Sequence, residues 1–458
     1  MHAHLTPVSS SSDSACPARP DLPTPQAPTA AFSPAGRSPF STAPAVDAAA
    51  FDVVPDRRGT ASLKWDFAAE RGRPEDVLPL WVADMDHATA PAVTNALLWR
   101  TRHGIFGYSD PDDAYNAALT GWFSRRYGWQ VEAGWNTVTP GVVPALALAV
   151  RALTAPGEAV LIEEPVYYPF REVVEDNGRT VAAVPLERDS DGVYRRDLAA
   201  LESTIEETGS RLLLLCNPHN PVGRVWSRDE LAALDEVAAR HGVVVVADEI
   251  HADLALPGFA TTPFASLSEA TAARTITCTS PSKSFNLAGL QVANILIADA
   301  HLREAFRREL ATTGYSQPNV LGLTACRAAY EGGEAWLDAL REHIAAARAH
   351  VEARLERIEG IEAAPCEGTY LLWLDCSGFL EATGLEPDEL DDVMLHEAGL
   401  WLDDGRIFGA GGEGFTRINV ACPRATLDAA LDRLEAAVAT VTARAGQAAR
   451  RGRVALSA

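Results

Sequence analysis

Five short apolar runs recur through the middle of this chain: AVLIEE at 159–164, RLLLLC at 211–216, VVVVAD at 243–248, TITCTS at 275–280 and NILIAD at 294–299. They are continuous rather than alternating, and a strand of that kind needs apolar cover on both faces. Helical segments lie around them. APAVTNALLWRTRHG starts its helix at Pro91 and stops at Gly104, the proline-first, glycine-last asymmetry of helix ends. RDELAALDEVAARHG is amphipathic and closes on Gly242. This alternation predicts an α/β fold with a mostly parallel sheet between helices.

After about residue 330 the pattern changes. A long helical stretch, EAWLDALREHIAAARAHVEARLERIEG, leads to TYLLWLD and FTRINVAC with helices between and after, which reads as a smaller α+β domain. Residues 91–330 are assigned to the large domain and 331–443 to the small one. Residues 49–90 precede the sheet region, resemble neither terminus, and are read as an N-terminal arm and part of the small domain. Residues 1–48 hold nine of the 29 prolines and lack an apolar period. Such a segment cannot offset its ordering entropy, so a disordered leader is expected. Residues 444–458 are expected to form a flexible basic tail.

Charge and cysteine usage exclude several function classes. A formal net charge of -23 repels nucleic-acid phosphates and anionic lipid, so neither is a general partner. No apolar run approaches the ~20 residues that a membrane helix needs. The first residues lack the basic start and apolar core of a secretory signal. The seven cysteines, at 16, 216, 278, 326, 366, 376 and 422, form no C-x-x-C and no Cys/His cluster of metal-site spacing. A reduced, cytoplasmic chain without a metal is the expectation.

Lysine usage narrows the chemistry. The 39 basic residues include two lysines, Lys64 and Lys283, and the rest are arginine. Guanidinium stays protonated and is unsuited to imine formation, whereas lysine gives up its proton where its surroundings favour it. Any Schiff base must therefore use one of these two. Lys64, in SLKWDF, has no cofactor-like context and reads as a structural or surface residue.

In an open α/β sheet, ligands sit beyond the carboxyl ends of the strands. Here those ends run into EPVYYPF, NPHNPVGRVW, DEIHAD and SPSKSFNLAGLQ. A fifth segment, TPGVVPALALAV, is a glycine-bearing turn entering a helix, whose first amides suit a phosphate. Together they offer a tyrosine, an asparagine, an aspartate, a lysine among hydroxyls and an anion cradle. Pyridoxal 5′-phosphate (PLP) asks for that set. Its aldehyde needs an amine, its pyridine nitrogen a carboxylate, its phenolic oxygen and phosphate need donors, and its ring an aromatic lid.

In order and spacing, NPHNPVGRVW, ADEIHADL and SPSKSFNLAGLQ resemble the fold-type I PLP enzymes of the class I/II aminotransferase superfamily. Within it, the chain looks like the cystathionine β-lyase branch, the C-S lyases of MalY/PatB type. LPLWVADMDHATAP, HGIFGYSD, TPGVVPAL and GFTRINVACPR extend the resemblance over roughly residues 55–440. The resemblance implies that Lys283 carries PLP as a Schiff base and shuttles the Cα proton of an amino-acid substrate. Asp248 pairs with the pyridinium nitrogen and Asn220 donates to the phenolic oxygen. Tyr167 stacks on the ring and assists at the substrate, with Tyr168 as the alternative. Ser280, Ser282 and the amides of Val142 and Val143 hold the phosphate. Tyr108 reaches the phosphate of a neighbouring subunit, which implies a homodimer with shared sites. Arg417 grips the substrate α-carboxylate as a bidentate fork. Arg406 and Arg424, close to it in sequence, are candidates for pairing with surface acids.

Two positions depart from the common aminotransferase pattern. His251 stands at the cofactor site where a tyrosine is frequent, and Gln291 where an arginine often meets the phosphate. Both look like the C-S lyase branch. His87, in ADMDH, replaces a more usual phenylalanine and leaves the local substrate contacts open. The expected reaction is β-elimination from cystathionine or another cysteine S-conjugate, giving thiol, pyruvate and ammonia. Transamination of an amino acid is one alternative, and a PLP-fold regulatory protein with weak activity is another.

Overall fold

The computed structural model describes residues 48–456. At its centre lie β1 (Asn136–Thr139), β2 (Ala159–Glu164), β3 (Thr180–Arg188), β4 (Tyr194–Arg196), β5 (Leu212–Cys216), β6 (Val244–Asp248), β7 (Thr275–Thr279) and β8 (Ala293–Ile297). They form one eight-stranded sheet in the order β1-β8-β7-β6-β5-β2-β3-β4. β8 runs antiparallel to β1 and β7, β4 runs antiparallel to β3, and the remaining pairs are parallel.

The two faces of this sheet explain the unbroken apolar runs. Leu212, Leu214, Val246, Ile276 and Ile295 pack on one face against helix Val142–Leu153. Leu213, Leu215, Val245 and Ala247 pack on the other against Leu231 and Leu234 of helix Arg228–His241. Fully burying one such side chain contributes about 1.5–3 kcal/mol, so a polar substitution in the middle of β5 or β6 breaks the layer. Helix Arg228–His241 starts on a capping box between Ser227 and Glu230. It stops at Gly242, whose φ of 64° closes the last turn.

A second sheet, all antiparallel, has the order β9 (Glu362–Ala363), β10 (Leu371–Asp375), β12 (Phe415–Asn419), β11 (Asp403–Asp404). Helices Glu334–Leu355 and Arg424–Leu456 cover it through Leu337, Leu340, Ile344, Leu427 and Leu431. Leu78–Pro79 pairs in parallel with Leu400–Trp401, which ties the N-terminal segment to this region.

Two expectations about the ends meet different outcomes. The leader falls outside the described residues, apart from Ala48, where a short 3-10 helix begins that ends at Asp52. The tail expected from residue 444 onward is instead helical, since the last helix runs on to Leu456. Its Ala- and Arg-rich sequence has high helix propensity, which outweighs its lack of an apolar stripe. Among the described residues, no helix is long and apolar enough to cross a membrane. The described cysteines are all free and buried.

Candidate active site

Strand register brings the chemistry to one level. Cys216 at the end of β5 pairs with Asp248 at the end of β6, and Asp248 pairs with Cys278 near the end of β7. Asn220 lies four residues past β5. Lys283 follows β7 on the one-turn helix Pro281–Ser284, which Ser280 caps by accepting the Ser282 amide at 3.0 Å. Val142 and Val143 open helix Val142–Leu153 just beyond β1. These ends enclose a cavity of about 220 Å³. Lys283, Asp248, Asn220 and Tyr167 line it, as do His251, Val142, Val143, Ser280 and Ser282. A wider cleft of about 720 Å³, lined by Glu352, Glu356 and Glu359, holds no lysine.

The electrostatics of the cavity are set by burial. Asp248 is 4% exposed and accepts the Ile250 amide at 3.1 Å. Burial pushes its carboxyl up to about 7, against that hydrogen bond and the charge of Lys283. Lys283 Nζ donates to the Ala83 carbonyl at 2.5 Å. Burial brings its amine down to about 8, opposed by Asp84 and Asp248. Burial, Lys283 and Arg417 together hold His251 well below the usual imidazole range, so it is neutral. Burial likewise raises the Tyr167 phenol.

Several sequence expectations find a definite place. Tyr167 lines the cavity and Tyr168 does not, although their rings touch at 5.1 Å. Arg406 pairs with Asp404 at the surface, and Arg424 is half-exposed near Asp428. Lys64 is structural rather than a surface residue: it is fully buried and its Nζ meets Asp86 Oδ2 at 2.8 Å. Gln291 lines the cavity.

Others are committed elsewhere or lie outside this cavity. The Ser280 hydroxyl donates to the Val292 carbonyl at 2.6 Å and caps its helix, so it is committed to the backbone rather than to an anion. Tyr108 is 94% exposed and lies outside the cavity of its own chain. His87 packs edge-on against Phe51 and His343, away from the cavity lining. Arg417, on β12, is 2% exposed and sits outside the lining. Its Nη1 donates to Asn220 Oδ1 at 2.9 Å, its Nη2 to the Trp81 carbonyl at 3.1 Å, and it forms an ion pair with Asp403.

Three contacts were missed by sequence reasoning. The Ala83 carbonyl accepts both Lys283 Nζ and, at 2.9 Å, the Tyr370 hydroxyl. Asn419 Nδ2 holds the flanking carbonyls of Val82 and Asp84 at 2.8 and 2.7 Å. Asp403 faces Arg417. A backbone carbonyl leaves no residue-type signal, and the partners lie some 200 or more residues apart in sequence.

The arrangement has counterparts. The family model Aminotransferase class I and II matches residues 75–434, and the chain belongs to that family. It is 44% identical over 389 residues to Cystathionine beta-lyase PatB of Bacillus subtilis (strain 168), spanning 85% of this chain and 99% of the relative. It is 35% identical over 381 residues to Protein MalY of Escherichia coli (strain K12), spanning 82% and 96%. Among solved structures, cystalysin from Treponema denticola, which contains a pyridoxal 5′-phosphate cofactor, matches with a TM-score of 0.81 at 35% identity. That match covers 85% of this chain and 99% of cystalysin. The fold is therefore the type I fold of PLP-dependent transferases, with its large sheet domain and a smaller domain.

Proposed function

We propose that the chain is a PLP-dependent carbon–sulfur β-lyase that cleaves cystathionine or a related cysteine S-conjugate to a thiol, pyruvate and ammonia. The observation that carries this reading is that Lys283 and Asp248 line one cavity, an amine of lowered pKa with a deeply buried carboxylate. Identity to the Bacillus subtilis lyase supports the branch, as do His251 and Gln291 at the cavity wall.

The residues fit the cofactor. Asp248 is a buried carboxylate hydrogen-bonded by one backbone amide, and a protonated ring nitrogen is the cation such a group calls for. When bound, PLP supplies an electrophilic carbon for amines and a ring that accepts electron density from Cα. Lys283 would hold it through its amine, and the same amine would take the Cα proton of the substrate. With a pKa near 8, a useful fraction of that amine is neutral at neutral pH. Tyr167, at the cavity wall, would cover the ring. The amides of Val142 and Val143 and the Ser282 hydroxyl receive the phosphate, with Ser280 shaping the turn. Because Asn220 Oδ1 is taken by Arg417, its Nδ2 is left to donate into the cavity. Arg417 receives the substrate α-carboxylate. The electron pair of the broken Cα–H bond forms the Cα–Cβ double bond, sulfur leaves with the C–S pair, and water completes release of pyruvate and ammonia.

Residues 91–330 serve as the cofactor-binding domain, and 49–90 with 331–443 as the small one; the Leu78–Leu400 pairing supports that grouping. A second copy of the chain completes the site. Exposure of Tyr108 beside Ile105 (64%) and Phe106 (55%) supports a homodimer that covers them. Buried free thiols support a cytoplasmic setting.

Incubation with L-cystathionine and no 2-oxo acid tests the reading. Pyruvate and thiol in catalytic amounts are expected. Turnover only when a 2-oxo acid is supplied would make the protein an aminotransferase, the second reading that the family match supports.

A further inference from the structure

Three of the five N–H donors of Arg417 are already engaged, among them both on Nη2. Nη1 is held by Asn220 Oδ1, and Nη2 by the Trp81 carbonyl and Asp403, while the Phe408 ring lies 4.8 Å from the guanidinium carbon. Nε alone is buried without a partner. Three of these neighbours are neutral and orient the group: an amide, a main-chain carbonyl and a ring. The fourth is a carboxylate, the same chemical group that Arg417 is there to receive.

Asp403 is built into that position. It lies on β11, whose register sets it directly opposite Arg417 on β12. Its carbonyl is fixed by the Thr416 hydroxyl at 3.0 Å, so its main chain is anchored while its side chain meets Arg417. Its side chain is 8% exposed, against 2% for Arg417. Burial lifts the Asp403 carboxyl above the ordinary range, and Arg417 pulls it back.

We propose that Asp403 is a specificity-determining residue that holds the Nη2 arm of the Arg417 fork as an internal carboxylate, so that a substrate's α-carboxylate binds both arms of the fork by displacing it. The inference rests on the assignment of Arg417 as the α-carboxylate contact. Its consequence is discrimination by class of acid. Exchange of one carboxylate for another yields little net gain, because the Coulomb attraction is present before and after. An acid held through its carboxylate alone therefore binds weakly. An α-amino acid, held also through its amine, binds well. After C–S cleavage and loss of nitrogen, pyruvate reverts to the first class, and the return of Asp403 to Arg417 favours its departure.

A merely structural Asp403 makes the opposite prediction, because its loss would misplace Arg417 and weaken every carboxylate. The test uses the holoenzyme and 3-(methylthio)propanoate, which carries a carboxylate and a thioether but no amine. Calorimetric titration is run on the native protein, Asp403→Asn, Asp403→Ser and Arg417→Gln. In the Asp403 variants Kd is expected to fall about tenfold, the effect of freeing one charge-paired contact. KM for L-cystathionine is expected to fall with it. The Arg417 variant should raise Kd. If Arg417→Gln weakens binding but neither Asp403 variant tightens it, the inference is overturned while the reading of Arg417 stands. If Arg417→Gln leaves Kd unchanged, the carboxylate binds elsewhere and both fall.

Discussion

Arg417 Nη1 donates to Asn220 Oδ1 at 2.9 Å, and this bond decides which end of the Asn220 amide faces the cavity. With the oxygen occupied, Nδ2 is the end available to an oxygen acceptor such as the cofactor's phenolic group. Asn220→Leu keeps the volume and removes both roles. It is expected to lower kcat/KM by roughly 10- to 100-fold and to move the pH at which the visible band titrates upward. Steady-state kinetics and a spectral titration check both; an unmoved titration would mean that the amide does not meet the chromophore.

Asp248 makes the protein without cofactor sensitive to pH. Burial raises its carboxyl from 3.8 to about 7, and Glu249, raised to about 8, acts in the same sense. A carboxyl whose folded pKa exceeds its unfolded value stabilises the fold below the unfolded pKa, and that advantage is lost as pH rises through the folded one. Asp248→Asn removes the cost of ionisation. The cofactor-free variant is expected to melt higher than native protein at pH 8, with a smaller gap at pH 5, while holding PLP more weakly. Thermal denaturation across pH reads this directly, and a gap independent of pH would count against it.

Lys283 should capture the cofactor faster as pH rises. Only the neutral amine attacks an aldehyde, and burial places its pKa near 8 rather than 10.5. Stopped-flow reconstitution of cofactor-free protein is expected to give a rate that climbs and levels with a midpoint near 8. A midpoint at the ordinary lysine value would show that the amine is not buried before capture.

His87 stabilises nothing through its nitrogens. Both are buried without partners, between Phe51 and His343. Burial and the neighbouring His343 push it down to about 3 from 6.5. The unfolded chain takes up a proton there that the folded one refuses, so stability is lost as pH falls from 6.5 toward 3. His87→Phe is expected to raise unfolding free energy by about 1–3 kcal/mol, more at pH 5 than at pH 8. Denaturant melts at the two pH values measure it.

What was legible in the sequence follows from which groups announce themselves. β2 could be read to the residue, because an apolar run bounded by turn-formers has no other good use. Helix ends at Gly104 and Gly242 were equally plain. Lys283 stood out because arginine has replaced almost all other lysines. The reverse direction of β8 was not legible: a strand covered on both faces reads the same either way. Nor was the commitment of Ser280, since a hydroxyl in a turn serves an anion or a helix cap equally well. The Ala83 carbonyl and the Asp403–Arg417 pair were hidden for different reasons. The first arises from packing between segments 200 or more residues apart, and the second from the register of two neighbouring strands whose partners, 14 residues apart, do not specify each other.

Reduction of the holoenzyme with borohydride, followed by peptide mapping, is the most direct measurement. The expected result is one pyridoxyl adduct, on Lys283, and a Lys283→Ala protein that neither shows the visible band nor takes up label. An adduct on Lys64, or a reducible chromophore that survives in Lys283→Ala, would contradict the assignment from which the proposed chemistry follows.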